Sequence, residues 1–261
     1  LHDRPGAFII PNPWDAGTAK MLAALGFEAL ATTSLGLANT LGRADSRVSR
    51  AEVIANARVI VEATELPVSV DLENGFAHAP EAAAEAIRLA AEAGAVGGSI
   101  EDATGDPKNP IYDSDLAVAR VRAAVQVAKS LPVPFVLTAR AENLLHGRND
   151  MADTIRRLQA FEAAGADVLY APGLRTLAEV REVCAAVNRP FNVVTGWLER
   201  DITASQLAAA GAKRISVGGA LNRLVLASFA NAARAMKEQG SFAWMRDMMA
   251  IGDLRWMFGA G

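Results

Sequence analysis

Short apolar runs of β-type residues alternate along the whole chain with longer alanine-rich stretches whose apolar positions recur at helical spacing. Residues 8–13, 29–33, 68–72, 97–102, 135–140, 167–172, 191–196 and 214–219 read as strands. Residues 16–25, 50–64, 80–93, 115–130, 150–164, 176–187, 203–209 and 220–239 read as helices. Stretches such as 133–137 are continuously apolar, as parallel strands covered on both faces require. Asp15, Ser114, Thr176 and Thr203 stand where helix N-caps belong. Gly26, Gly94, Gly165 and Gly211 each separate a helix from the next strand, the position where a left-handed residue ends a helix.

Eight β/α units in succession predict an α/β chain closed into a single (β/α)8 TIM-type barrel spanning residues 1–261. An open doubly wound sheet is the structural rival, but no Gly-x-Gly-x-x-Gly follows the first strand. Residues 241–261 carry Trp244, Met245, Met248, Met249, Trp256, Met257 and Phe258 and read as a C-terminal helical extension. Its apolar surface must bury against its own barrel or a neighbouring subunit. The sequence leaves both arrangements open, the second in a homodimer or homotetramer.

The net charge of -3 offers no basic footprint for nucleic acid or an anionic membrane. No run approaches the roughly 18 apolar residues a membrane span needs. Cys184 is the lone cysteine, so no internal disulfide forms. The opening Leu1-His2-Asp3-Arg4-Pro5 does not read as a signal peptide, and the expected location is cytoplasmic.

Chemistry in such barrels sits at the C-terminal strand ends. The first strand ends at Asn12 and the second runs into Thr32-Thr33-Ser34. The third ends in Asp71-Leu72-Glu73-Asn74-Gly75, and the fourth in Glu101-Asp102. The fifth ends in Arg140-Ala141-Glu142-Asn143, the sixth in Tyr170-Ala171-Pro172 and the seventh in Thr195-Gly196-Trp197. Four or more carboxylates and one arginine thus converge on one mouth. Uncompensated carboxylates repel, and a hard cation is the natural way to hold them. All-oxygen donors disfavour zinc and point to Mg2+ or Mn2+. Taken singly, each acid also reads as a helix cap or a lysine partner, and Arg140 as a structural partner of Glu142. Gly218-Gly219 reads as either a phosphate cradle or a close-packed turn. His2, His78 and His146 show no metal spacing or triad, although His146 falls near the mouth. Cys184 falls in an outer helix and reads as packing.

Several blocks are more specific: Pro11-Asn-Pro-Trp-Asp-Ala-Gly-Thr-Ala19, Thr33-Ser34-Leu35-Gly36, Gly42 with Asp45, Pro67-Val-Ser-Val-Asp71-Leu-Glu73-Asn-Gly75-Phe76, Gly98-Ser-Ile-Glu101-Asp102 and Thr138-Ala-Arg140-Ala-Glu142. By their order and spacing the chain resembles the isocitrate lyase/phosphoenolpyruvate mutase superfamily over nearly its whole length. The resemblance implies Mg2+-dependent cleavage or formation of C–C or P–C bonds next to a keto acid, in oligomers that exchange the last barrel helix. It implies Asp71 as the principal metal-binding acid, with Asp45, Glu73 and Glu101 around the ion and its waters. Asp45, Glu101 and Arg140 become catalytic candidates, Arg140 as the group that meets a carboxylate or enolate oxygen. Thr33, Ser34 and Leu35 resemble the receiver of the α-keto carboxylate. Asn12 and Tyr170 join the substrate-binding set from strand-end position alone.

Two departures shape the expected reaction. The family's Asp-x-Asp followed by Thr-Gly becomes Asp71-Leu-Glu73-Asn74-Gly75 here. The family's lyases carry Lys-Lys-Cys-Gly-His after the fourth strand, where the cysteine protonates the departing carbanion. The loop from Ala103 to Asp113 has no cysteine; its Lys108-Asn109 faintly resembles the phosphonomutases, and Tyr112 is either a proton donor or a lid anchor. The expected function is a Mg2+-dependent lyase cleaving or decarboxylating a small, oxaloacetate-like α-keto acid through an enolate. The alternatives are phosphonopyruvate or phosphoenolpyruvate mutase- or hydrolase-type P–C chemistry, or a catalytically silent keto-acid-binding barrel. Isocitrate and methylisocitrate cleavage is not expected.

Overall fold

Strand β1 (Phe8–Ile10), β2 (Leu30–Ala31), β3 (Val68–Asp71), β4 (Gly97–Glu101), β5 (Val136–Arg140), β6 (Val168–Tyr170), β7 (Phe191–Val194) and β8 (Arg214–Ser216) form one sheet. Its order is β1-β8-β7-β6-β5-β4-β3-β2, and every pairing is parallel. A backbone hydrogen bond from Ala31 N to Pro11 O, 3.0 Å, links β2 back to β1. The chain is a (β/α)8 barrel, described by a computed structural model over residues 1–259.

The connecting helices are α1 (Ala16–Ala24), α2 (Ser34–Thr40), α3 (Arg50–Glu62), α4 (Pro80–Glu92), α5 (Ser114–Ser130), α6 (Met151–Ala164), α7 (Leu177–Ala186), α8 (Ala204–Ala209) and α9 (Ala220–Gln239). Asp15, Thr176 and Thr203 cap α1, α7 and α8 in reciprocal capping boxes. The α5 cap is Asp113 rather than Ser114: its Oδ1 accepts from Leu116 N at 2.9 Å, and Ser114 is already helical. The short α2 occupies what the sequence pattern presents as a turn. At the α8–β8 return, Gly211 has φ +104°, and a Cβ there would fall 2.7 Å from Cys184 Cβ. Both the conformation and the close approach require glycine.

The strands stop short of the apolar runs that announce them. Past Ile10, Pro11 and Pro13 lack the N–H a ladder needs, so Asn12 stands beyond the sheet. The apolar core lies between sheet and helices, with Leu72, Ile87, Leu137, Leu158, Phe161 and Leu169 sealed from water. Val193 and Ile215 join it, while Asn192, Arg214 and Ser216 line an axial cavity. This is the period-2 alternation of a strand. Barrels of this kind usually fill the axis with branched apolar side chains; here Ser69, Ser99, Asn192, Arg214 and Ser216 stand in the lining beside Ile10, Val70 and Val194.

After α9 come a 3-10 segment (Ala243–Asp247) and helix α10 (Ile251–Phe258), which lies against α1 of the same chain. The helical extension expected at 241–261 is therefore two short pieces, and residues 260–261 lie outside the described residues. Trp256 and Phe229 stay 61% and 72% exposed. Among the described residues no helix is long and apolar enough to cross a membrane.

Candidate active site

A cavity of about 440 Å³ opens at the C-terminal ends of the strands. Asp45, Asp71, Glu73, Glu101 and Glu142 line it, with Arg140 among them.

Arg140, the last residue of β5, spans three strand ends. Its Nη1 lies 3.0 Å from Asp71 Oδ1 on β3, its Nη2 3.3 Å from Glu101 Oε2 on β4, and its Nε 2.8 Å from Glu142 Oε1 just past β5. Its face also lies 4.9 Å from the centre of the Tyr170 ring. Burial opposes the charge on Arg140, but Glu142, Glu101 and Asp71 outweigh it and raise its pKa. Burial pushes Glu142 up to about 7 against the pull of Arg140, and lifts Glu101 well above the usual carboxylate range. Behind this layer, Asp102 accepts from Glu142 N at 2.7 Å and pairs with buried Arg157 at 3.0 Å, tying β4, β5 and α6 together.

The opposite side of the mouth is less balanced. Ser34 N donates to Asp71 Oδ2 and Ser34 Oγ to Asp45 Oδ1, both at 3.2 Å, so the start of α2 joins two acids. Asp45 sits at the rim, where partial burial and then Asp71 raise its pKa. Glu73 adopts φ +47°, a left-handed conformation that costs a side-chain-bearing residue energy. Its carbonyl accepts from Glu101 N at 3.0 Å, while its Oε1 is buried without a partner. Burial, then Asp71 and Asp45, push the Glu73 carboxyl up to about 8.

Most residues singled out from the sequence meet at this cavity. Thr33, Ser34, Leu35, Asn12 and Tyr170 all line it. Thr33 also caps α2 through Gly36 N. The Asn12 amide is committed to the frame: it donates to Thr32 O and accepts from Val217 N and Gly218 N. Leu35 packs so closely on Gly219 that a Cβ there would fall 2.4 Å from Leu35 Cδ2, which supports the packed-turn reading of Gly218-Gly219.

Tyr112 is elsewhere. It is 5% exposed, does not line the cavity, and its hydroxyl lies 2.6 Å from His78 Nδ1 with the Arg120 guanidinium 4.3 Å from its ring centre. Its contacts are those of a residue seated at the end of the 103–113 loop, which bridges to itself at Ala103 and Ile111. Lys108 is exposed on that loop and also outside the cavity lining. His146 and Trp197 do line the cavity. Arg214, read from sequence only as the start of a strand, lines it too. The available signal was parity, since Arg214, Ser216 and Gly218 share one face of β8 and its continuation.

Asp71, Glu73 and Glu101, the ligand set expected from the sequence, all line the cavity. Among the described residues no three Asp, Glu, His or Cys side chains are grouped to hold a metal ion directly. Asp71 and Glu101 face Arg140 instead, which compensates charge that the sequence left unmatched. The residues nevertheless fit a divalent cation. Glu73 keeps a buried orphan oxygen beside Asp71 and Asp45, all donors are hard oxygens, and Arg140 pairs with only three of the five carboxylates. Mg2+ commonly binds through one or two carboxylates while keeping several waters.

A model of the family described as Phosphoenolpyruvate phosphomutase matches residues 1–237. The chain belongs to the phosphoenolpyruvate phosphomutase family. A solved chain from Burkholderia cenocepacia J2315, assigned as a lyase/mutase without a specified reaction, is 54% identical to this family member. It superposes with TM-score 0.96, covering 99% of this chain and 93% of that one. The 2-methylisocitrate lyase of Escherichia coli strain K12 is 33% identical over 68% of this chain and 61% of its own. Oxaloacetate decarboxylase of Bradyrhizobium diazoefficiens is 28% identical over 82% of this chain and 75% of its own. Relatives of this chain thus include a decarboxylase and a lyase, and a second Burkholderia cenocepacia J2315 chain assigned as a phosphonomutase is 35% identical, with TM-score 0.79 over 87% of this chain and 93% of that one.

Proposed function

We propose that this protein is a Mg2+- or Mn2+-dependent carbon–carbon lyase that decarboxylates or cleaves a small α-keto acid of the oxaloacetate type through an enolate. The observation that carries this reading is the unbalanced mouth, where five carboxylates line the cavity, Arg140 pairs with three of them, and Glu73 Oε1 is buried without a partner. Asp71 and Glu73, with Asp45 and Glu101 beside them, would hold the cation. Bound there, it supplies Lewis-acid polarisation of a keto acid. Thr33, Ser34 and Leu35 receive the α-keto carboxylate at the same wall. As the bond to the departing carboxylate breaks, its electron pair moves into the keto acid as an enolate. Arg140, held rigid by three acids, offsets the developing negative charge without reorganising. Carbon dioxide leaves without a proton, and the enolate carbon then takes one from water entering the open cavity, so the step needs no cysteine acid in the 103–113 loop. The similarity to an oxaloacetate decarboxylase supports the same choice.

The P–C mutase or hydrolase reading draws support from the family model itself. A panel of keto acids and phosphonates assayed with Mg2+ tests both. Release of CO2 supports the proposal, release of phosphate or a P–C product supports the rival, and binding without turnover shows a silent barrel.

A further inference from the structure

Within the barrel, on the wall opposite the carboxylates, one guanidinium has no acid to face. Arg214, the first residue of β8, is 6% exposed and lines the same cavity as Arg140. Its Nε donates to Asn192 Oδ1 at 2.8 Å and its Nη2 to Thr138 Oγ1 at 2.9 Å. Both acceptors are neutral. Among the described residues no carboxylate oxygen lies within 4.0 Å of it, and Nη1 finds no acceptor.

The other buried arginines differ. Arg140 and Arg157 are paired with acids. Arg120 donates to the carbonyls of Asn74, Ala77 and His78 away from the cavity. Burial lowers Arg214 to about 10, so it remains a cation at neutral pH. A buried charge without a partner is strongly unfavourable, and such charges are normally paired. The cavity lining includes hydroxyl and amide groups, Ser69, Ser99, Ser216 and Asn192, where such barrels usually carry branched apolar residues. The amide Nδ2 of Asn192 donates to Ser216 Oγ at 3.0 Å, which orients its oxygen toward Arg214 and leaves the Ser216 proton free to donate.

We propose that Arg214, with Ser216 beside it, is a carboxylate subsite deep in the cavity, separate from the carboxylate-rich mouth. The guanidinium presents the planar fork that recognises carboxylates, and the cavity gives a ligand access to it. In the keto-acid reading, on which this last assignment rests, its occupant is the substrate's second carboxylate. The site then selects dicarboxylic over monocarboxylic keto acids. A free small acid offers the same chemistry.

Calorimetric titration of the whole protein with Mg2+ present separates these sources, with formate, malonate and oxalate as probes. Formate tests for a free carboxylate, malonate for a dicarboxylate, and oxalate reports on the mouth. Two variants are compared with the native chain: Arg214→Met, and Asn192→Asp, which gives Arg214 an internal carboxylate and guards against a folding defect in the first. Both should weaken malonate binding by about tenfold or more, the scale of a charged hydrogen bond, while oxalate binding holds. Malonate binding much tighter than formate assigns the subsite to a dicarboxylate; equal affinities assign it to free acids. Malonate and formate affinities unchanged in both variants, or no binding of either to the native chain, overturn the subsite. Arg214-dependent malonate binding in a protein that turns over no keto acid would retain the subsite and remove the lyase reading.

Discussion

Arg140 Nη1 and Asp71 Oδ1 lie 3.0 Å apart, an ion pair that crosses β4 to join the ends of β5 and β3. Both side chains are mostly buried, at 14% and 17% exposure, and the same guanidinium holds Glu101 and Glu142. Removing it leaves three buried acids facing one another. Arg140→Ala should therefore cost about 3–5 kcal/mol of stability, the scale for breaking a buried pair from one side. It should also slow turnover by about two orders of magnitude or more. Thermal melts and kcat on the purified variant check both, and native-like values in each would refute the assignment.

Chelation should abolish activity, and Mg2+ or Mn2+ should restore it. Glu73→Gln removes the orphan carboxylate but keeps its shape, and should weaken Mg2+ binding by about tenfold or more while the fold persists. Metal titration of the variant, followed by calorimetry, is the measurement. Full turnover in excess chelator would rule out the metal.

Cys184, on α7, packs against Gly211, and burial pushes its thiol up to about 12. The thiolate is the reactive form, and its share grows about tenfold per pH unit until that value is approached. Alkylation of the native protein should be slow at neutral pH and quicken steadily above it, as mass spectrometry would follow. Cys184→Ala should leave turnover nearly unchanged, and isocitrate and methylisocitrate should be cleaved negligibly. Brisk isocitrate cleavage, or inactivation by alkylating Cys184 alone, would show that the 103–113 loop has been misread.

Leu224, Phe229 and Trp256 are 66%, 72% and 61% exposed. Phe229, Met236, Trp244 and Met248 line a shared hollow between α9 and the segment after it. Apolar surface of this kind marks association sites. The protein should run as a homodimer or homotetramer by light scattering, and Phe229→Glu should shift it toward smaller species. A sharp monomer peak for the native chain at micromolar concentration would contradict this.

The alternation of elements was legible because helix and strand periodicity, capping residues and glycine exits are local properties. Gly26, Gly94, Gly165 and Gly211 all take positive φ, as their positions between helix and strand suggest. α2 escaped because Ser34–Thr40 is too short to show a period. Gathering of acids at one mouth was also legible, since a barrel places every strand end on the same face.

What each acid faces was not. Sequence supplied Asp71, Glu101, Arg140 and Glu142 as neighbours in a list of strand ends, and a metal cage suited their charges. Only the closed barrel brings one guanidinium within reach of three of them and leaves Glu73 Oε1 unmatched. Tyr112 behaves likewise, since its proximity to His78 depends on how the loops after β3 and β4 pack. Periodicity acts through the nearest few residues and determined the barrel. Pairing of charges depends on distances of a few ångströms between residues tens of positions apart, and on the burial that strengthens each interaction, so the tertiary structure alone decided the site.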